Sequence, residues 1–184
     1  VPKVAILIPT KNRSEFVLQQ LRYHSYMNSP HTLYIGDSSD KEHSEKILSG
    51  IKQFKDKLNV IYRQYPDIKA EPTCKELLKL VEEKYSIYVG DDDIAIPNSL
   101  TKCAQFLAEN TDYSCAHGTA VLLSVKGNLG SIIKGASKYS LKENELLLGS
   151  YRLELFLNNY WVPLFSVHRT EEFKIAHDTF DTLP

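Results

Sequence analysis

Val4-Ala5-Ile6-Leu7-Ile8, followed at once by Pro9-Thr10-Lys11-Asn12-Arg13, decides how the rest of the chain is read. Five apolar residues in a row, stopped by a proline, describe a strand buried on both faces, and such strands belong to parallel sheets covered by helices. The polar residues behind Pro9 lead into Ser14, a good N-cap, and a helix is expected from there to about Met27. Working outward, Leu33-Tyr34-Ile35 predicts a second strand that ends at Gly36-Asp37. Ile47, Leu48, Ile51 and Phe54 recur at helical spacing. A third strand is expected over 58–62, and Leu77, Leu78 and Val81 mark another helix. A fourth strand spans 86–89, and Asn98 can cap a helix with Leu100, Cys103, Ala104 and Leu107 on one face. Strand and helix alternate, so the expected fold class is α/β with a mainly parallel sheet flanked by helices.

The last third reads differently. Residues 114–125 are rich in strand formers, and Gly127-Asn128 predicts a turn into another strand. Part of 141–157 is expected to be helical, followed by a strand over 164–167 and a short helix over 170–176. The expected division is an α/β part at 1–110 and a smaller mixed β/α part at 111–184. The latter is expected to finish a site and to be incomplete at its C-terminal end.

The chain has 184 residues, 42% hydrophobic and 24% charged, enough to bury a core without disulfide or metal staples. Its formal net charge is −1, which argues against a nucleic-acid binder working through a general basic field. No apolar run approaches the roughly 20 residues that span a bilayer. The three cysteines, Cys74, Cys103 and Cys115, form no CxxC pair, and the six histidines show no HExxH spacing. Reduced thiols and the lack of a signal-peptide pattern make the cytoplasm the expected location, any approach to a membrane being left to regions outside these residues.

Ligands of open α/β sheets bind outside the carboxyl ends of the strands. Those ends carry Pro9-Thr10-Lys11-Asn12-Arg13, Asp37-Ser38-Ser39-Asp40 and Gly90-Asp91-Asp92-Asp93. Three adjacent carboxylates repel one another, and a divalent cation relieves that repulsion. In an extended segment Asp91 and Asp93 would share one side and Asp92 the other. Hard oxygen ligands suit Mg²⁺ or Mn²⁺ completed by water and substrate phosphates. A solvated acidic turn before a helix is the alternative. Asp37 can accept a hydrogen bond from a base or a sugar hydroxyl, or can simply cap a turn. Thr10, Asn12 and Arg13 can hold phosphate or base edges, or cap. The first strand-to-helix turn has no glycine, and GxxxxGK[ST] and GxSxG are absent, which removes the dinucleotide fingerprint, the P-loop and the nucleophile elbow.

In order and spacing, 4–13, Ile35-Gly36-Asp37-Ser38-Ser39 and the segment from Tyr88 through Asp91-Asp92-Asp93 to Leu100 resemble glycosyltransferase family 2, of the GT-A fold. The last segment is similar to that family's DxD stretch followed by a proline and a helix. The resemblance implies a metal-dependent transferase that moves a sugar from a nucleotide-sugar donor, usually a UDP-sugar, to a glycan, lipid-linked or other hydroxyl acceptor. It implies donor contacts at Pro9, Thr10, Asn12, Arg13, Asp37, Lys69, Asp91 and Asp92, with Pro9 and Thr10 lining the nucleoside pocket and Asp37 meeting the base. Mn²⁺ or Mg²⁺ would sit on Asp93 or Asp92, two registers being open, with His168 a further candidate ligand. Lys75 and Leu77 stand where the family more usually has Asn and Gly.

Most members invert the anomeric centre and need a carboxylate general base to take the acceptor proton. Asp178 and Asp181 are the late carboxylates in this chain. Both fall early for the family's pattern, so the base itself is expected beyond these residues. Tyr160-Trp161 can stack on a sugar ring or close a core. Two other readings compete: a nucleotide-sugar-binding module without turnover, and a sugar-phosphate nucleotidyltransferase, which would carry a glycine-rich first loop.

Overall fold

A computed structural model describes residues 2–66, 68–140, 142–160 and 162–180. Strand β1 (Val4–Thr10) lies inside a six-stranded sheet with β2 (Thr32–Asp37), β3 (Asn59–Gln64), β4 (Tyr85–Tyr88), β5 (Cys115–Ala116) and β8 (Val167–Arg169), in the order β3-β2-β1-β4-β8-β5. The first four run parallel; β8 is antiparallel to both β4 and β5. The helices between them are α1 (Ser14–Tyr26), α2 (Lys41–Phe54), α3 (Ala70–Lys79) and α4 (Pro97–Glu109).

The apolar run of β1 serves both faces of the sheet, as alternation requires. Val4, Ile6 and Ile8 pack with Val17 and Leu21 of α1, Ile47 of α2 and Leu100, Ala104 and Leu107 of α4. Ala5 and Leu7 turn the other way, onto Leu77 and Leu78 of α3. All five β1 residues are fully buried, which explains why no polar residue interrupts the run. Gly36 is the small residue that lets α3 close on β2. A Cβ there would overlap Thr73 Cγ2 and approach Leu77 Cδ1 to 2.9 Å, so Leu77 fills the space that Gly36 leaves.

Two helix starts differ from the sequence expectation. Ser14 is the first residue of α1 rather than its cap, and its hydroxyl meets His43 Nδ1 at 2.9 Å. Helix α4 begins at Pro97, which needs no N–H in the first turn, so Asn98 is not the cap.

The chain divides into two compact units, Val1–Ala116 with Ser166–Pro184, and His117–Phe165. The boundary expected near residue 110 therefore moves in one respect: the C-terminal segment returns to the main sheet. Strand β8 pairs with β4, and α6 (Thr170–Phe180) packs Phe173 into the second core. The strand expected at 164–167 begins instead at Val167, and a tight helical turn occupies Pro163–Phe165. The second unit contains the antiparallel pair β6 (Ala120–Lys126) and β7 (Ile132–Tyr139), joined through Gly127 at φ 83°, and α5 (Gly149–Asn158).

Candidate functional site at the carboxyl edge

Parallel register sets the site. Leu7 is paired with Tyr88, so the residues three further along, Thr10 and Asp91, arrive side by side beyond the strands. Thr10 is likewise in register with Asp37 on the other side. The three polar strand ends therefore meet at one edge of the sheet.

The acidic segment is a tight turn rather than an extended strand, because Asp93 N–H donates to Gly90 O at 3.1 Å. The alternation expected for three extended carboxylates is thereby replaced. Asp91 turns inward: its Oδ2 accepts Thr10 Oγ1 at 2.8 Å, and its Oδ1 lies 3.0 Å from Arg13 Nη1. Asp92 reaches the same guanidinium, at 2.8 Å from Nη2. Asp93 folds back over Gly90. A Cβ at Gly90 would stand 2.9 Å from Asp93 Oδ2 and 3.2 Å from Asp92 Oδ1, so two carboxylate oxygens converge on the space that this glycine leaves.

Environment separates the three carboxyls. Burial pushes Asp91 above the usual carboxylate range, against the Thr10 hydrogen bond and the Arg13 charge. Burial also raises Asp93, with Asp92 adding to it. Asp92 is held low, chiefly by its hydrogen bond from Arg13. The Arg13 guanidinium lies 4.4 Å above the Phe16 ring and remains 41% exposed. Being exposed, it supplies a screened and exchangeable positive charge rather than a fixed strut.

The neighbouring loops are laced together. Asn12 adopts φ 55°, a left-handed conformation that asparagine tolerates well. Its amide donates to Asp40 Oδ2 at 2.9 Å, Asp40 N–H donates back to Asn12 Oδ1 at 2.8 Å, and Asn12 N–H donates to Ser39 Oγ at 2.7 Å. Asp37 has no exposed surface. Its carboxylate accepts Ser39 N–H at 2.9 Å and the Tyr62 hydroxyl at 2.7 Å. These two bonds brace the loop that follows β2. Pro9 is half-buried beside Gly36. Lys69 is exposed at the head of α3, and its carbonyl accepts both N–H and hydroxyl of Thr73, which in turn meets Ser38 Oγ at 3.2 Å.

His168 is in register with Ser86, five positions before Asp91 in the chain, and its ring stacks on Phe173 at 4.1 Å between centroids. Asp178, by contrast, is carried toward the edge. Helix α6 starts beside Lys84 at the amino end of β4 and runs back, with Phe173 and His177 both against the Tyr88 ring. Asp178 is 72% exposed and lies 3.4 Å from Lys75 Nζ. Asp181 and Trp161 lie outside the described residues. Tyr160 is exposed and touches the Phe156 ring edge-on.

Sequence reasoning passed over Gln20 and Tyr62. Gln20 is completely buried, and its Nε2 donates to the carbonyls of Gly90, Asp91 and Asp93. The signal was a polar residue inside the apolar stripe Val17–Leu21 of α1. Among the described residues no three His, Cys, Asp or Glu side chains form a closed metal cage. The donor set that does exist, two carboxylate oxygens facing the Gly90 gap, suits a hard cation that keeps open positions for water and phosphate.

The sequence model described as glycosyl transferase family 2 matches residues 5–148. No curated protein sequence matches the chain. Among solved structures, S. aureus TarS 1-349 superposes with a TM-score of 0.61 at 18% identity, covering 95% of this chain and 49% of that one. TarS 1-349 in complex with UDP-GlcNAc gives 0.61 and 18%, covering 95% and 47%. The mannosyltransferase PcManGT from Pyrobaculum calidifontis, in complex with GDP-Man and Mn²⁺, gives 0.52 and 14%, covering 62% and 34%. These likenesses show a shared GT-A fold. The chain spans about half the length of the TarS structures. No described helix is long and apolar enough to cross a membrane.

Proposed function

Because the chain belongs to glycosyltransferase family 2, we propose that it transfers a sugar from a UDP-sugar to a hydroxyl acceptor with metal assistance and inversion at the anomeric carbon. The observation that carries this reading is the turn Gly90–Asp93 beside Thr10 and Arg13 at the carboxyl edge. Complexes of similar folds with UDP-GlcNAc and with GDP-Man and Mn²⁺ support it.

In this reading Asp92 and Asp93 hold Mn²⁺ or Mg²⁺ through the oxygens that face the Gly90 gap. The ion supplies charge neutralisation for the diphosphate leaving group. Asp91, fixed by Thr10, accepts a ribose hydroxyl. Arg13 would face the diphosphate, and Lys69 and Asn12 border the same edge. Pro9 lies along the nucleoside. Asp178, which α6 returns toward the carboxyl edge, and Asp181, three positions further along the chain, are the candidate carboxylates for the general base within these residues. A carboxylate there removes the acceptor proton as the new bond forms. The part from 111 to 184 is assigned to the acceptor. The three cysteines, half-buried and in no disulfide, accord with a cytoplasmic location.

Calorimetric titration with UDP, GDP and their sugars, with and without Mn²⁺, tests the proposal. Mn²⁺-dependent UDP binding, lost in Asp92→Ala and Asp93→Ala, is the expected result. No binding of any nucleotide sugar, or metal-dependent binding that both variants retain, contradicts it.

A further inference from the structure

The acidic turn poses a mechanical problem. Three successive carboxylates repel one another, and a short turn closed by the Asp93 N–H to Gly90 O hydrogen bond gives little resistance to their splaying. The turn is also tethered from below. Gln20, in the middle of α1, is fully buried, 70 to 73 positions away from the carbonyls it reaches. Its Nε2 donates to Gly90 O at 3.3 Å, to Asp91 O at 3.4 Å and most closely to Asp93 O. Among the described residues its Oε1 meets no hydrogen-bond partner, so the bonds that its amide makes go to one set of carbonyls.

We propose that Gln20 is a positioning residue for the acidic turn: its buried amide gathers the carbonyls of Gly90, Asp91 and Asp93 and thereby fixes the directions of the carboxylates. Carbonyls drawn toward α1 leave the turn's side chains facing Thr10, Arg13 and the Gly90 gap. Gln20 touches neither donor nor cation; it acts through the backbone. Its position on a rigid helix, with Val17 and Leu21 packed in the core on either side, makes the tether stiff. The consequence for binding rests on the reading of this turn as a nucleotide–metal site; the tether itself does not.

The experiment compares Gln20→Met, which keeps length and burial but removes both donors, with Val17→Ala, a packing control on the same helix that makes no bond to the turn. Backbone amide exchange at Asp93 and Mn²⁺-dependent UDP affinity are measured in both folded proteins. Gln20→Met is expected to exchange about tenfold faster at Asp93 and to bind UDP with Mn²⁺ about tenfold more weakly, as loss of outer supports does at metal sites. Val17→Ala is expected to show neither change. If Gln20→Met does not fold, Gln20→Asn, whose amide falls one methylene short, should show both changes. Unaltered Asp93 exchange in a folded Gln20 variant overturns the inference, and so does faster exchange with unaltered UDP affinity. Should the unsubstituted protein bind no UDP with Mn²⁺, the nucleotide–metal reading fails, and the exchange comparison alone decides the tether.

Discussion

Thr10 and Asp91, 81 positions apart, meet at 2.8 Å at the carboxyl edge of the sheet, hydroxyl to carboxylate, with almost nothing of either exposed. This bond ties the end of β1 to the acidic turn. It also compensates a carboxyl that burial would otherwise favour in its neutral form. Thr10→Ala should destabilise the protein by about 1–3 kcal/mol, the usual cost of stranding a buried charged acceptor. Thr10→Ser should keep most of that stability. Urea unfolding of the two variants checks this, and equal losses would show the hydroxyl to be idle.

Asp93→Asn should separate stability from binding. Burial and the neighbouring Asp92 both disfavour the Asp93 charge. Removing that charge should raise stability by about 1 kcal/mol, while Mn²⁺-dependent UDP binding falls. Thermal unfolding and calorimetry on one preparation measure both, and a variant that loses stability speaks against this account of the turn.

His24 should make the protein sensitive to acid. It is fully buried, neither ring nitrogen has a hydrogen-bond partner among the described residues, and burial lowers it to about 4, with His31 contributing. Between about pH 6.5 and 4 the unfolded chain takes up a proton that the folded chain refuses, so stability falls as pH falls through that window. The full loss is on the order of 3 kcal/mol. His24→Leu should flatten the curve of unfolding free energy against pH. Burial lowers His31 too, and its share of the slope should remain.

Gly36→Ala should push α3 off the sheet. The added carbon would overlap Thr73 and crowd Leu77. Overpacking of this kind costs about 1–3 kcal/mol, and Leu77→Ala in the same chain should return part of it. Denaturation midpoints of the single and double variants measure the coupling.

The core of this fold was readable because it repeats. Val4 to Ile8 announces a strand covered on both sides, and the structure sends Val4, Ile6 and Ile8 to one core and Ala5 and Leu7 to the other. Where neighbouring signals were short, reading failed: 164–167 looks like a strand, but pairing begins only at Val167, opposite Ala116 of β5, and with β4 only at His168. The acidic edge was legible as residues, because Asp91-Asp92-Asp93 after a buried strand is an unusual concentration of charge. Its geometry was not, since whether Asp92 faces away from or along with Asp93 depends on a turn closed by Asp93 N–H and Gly90 O.

Gln20 and Asp37 mark the boundary most clearly. As a sequence, Asp37 at a strand end is equally a ligand contact or a brace; the Tyr62 hydroxyl, brought in by β3 pairing, makes it a brace here. Gln20 carries no motif at all. The α/β alternation, the two-sided core and the three polar strand ends are written in the chain, because burial and periodicity are local properties. Folding alone sets Thr10 against Asp91, brings the Gln20 amide to the carbonyls of the acidic turn and turns α6 back along β4. Those depend on strand register and on contacts between residues distant in sequence, which local patterns do not encode.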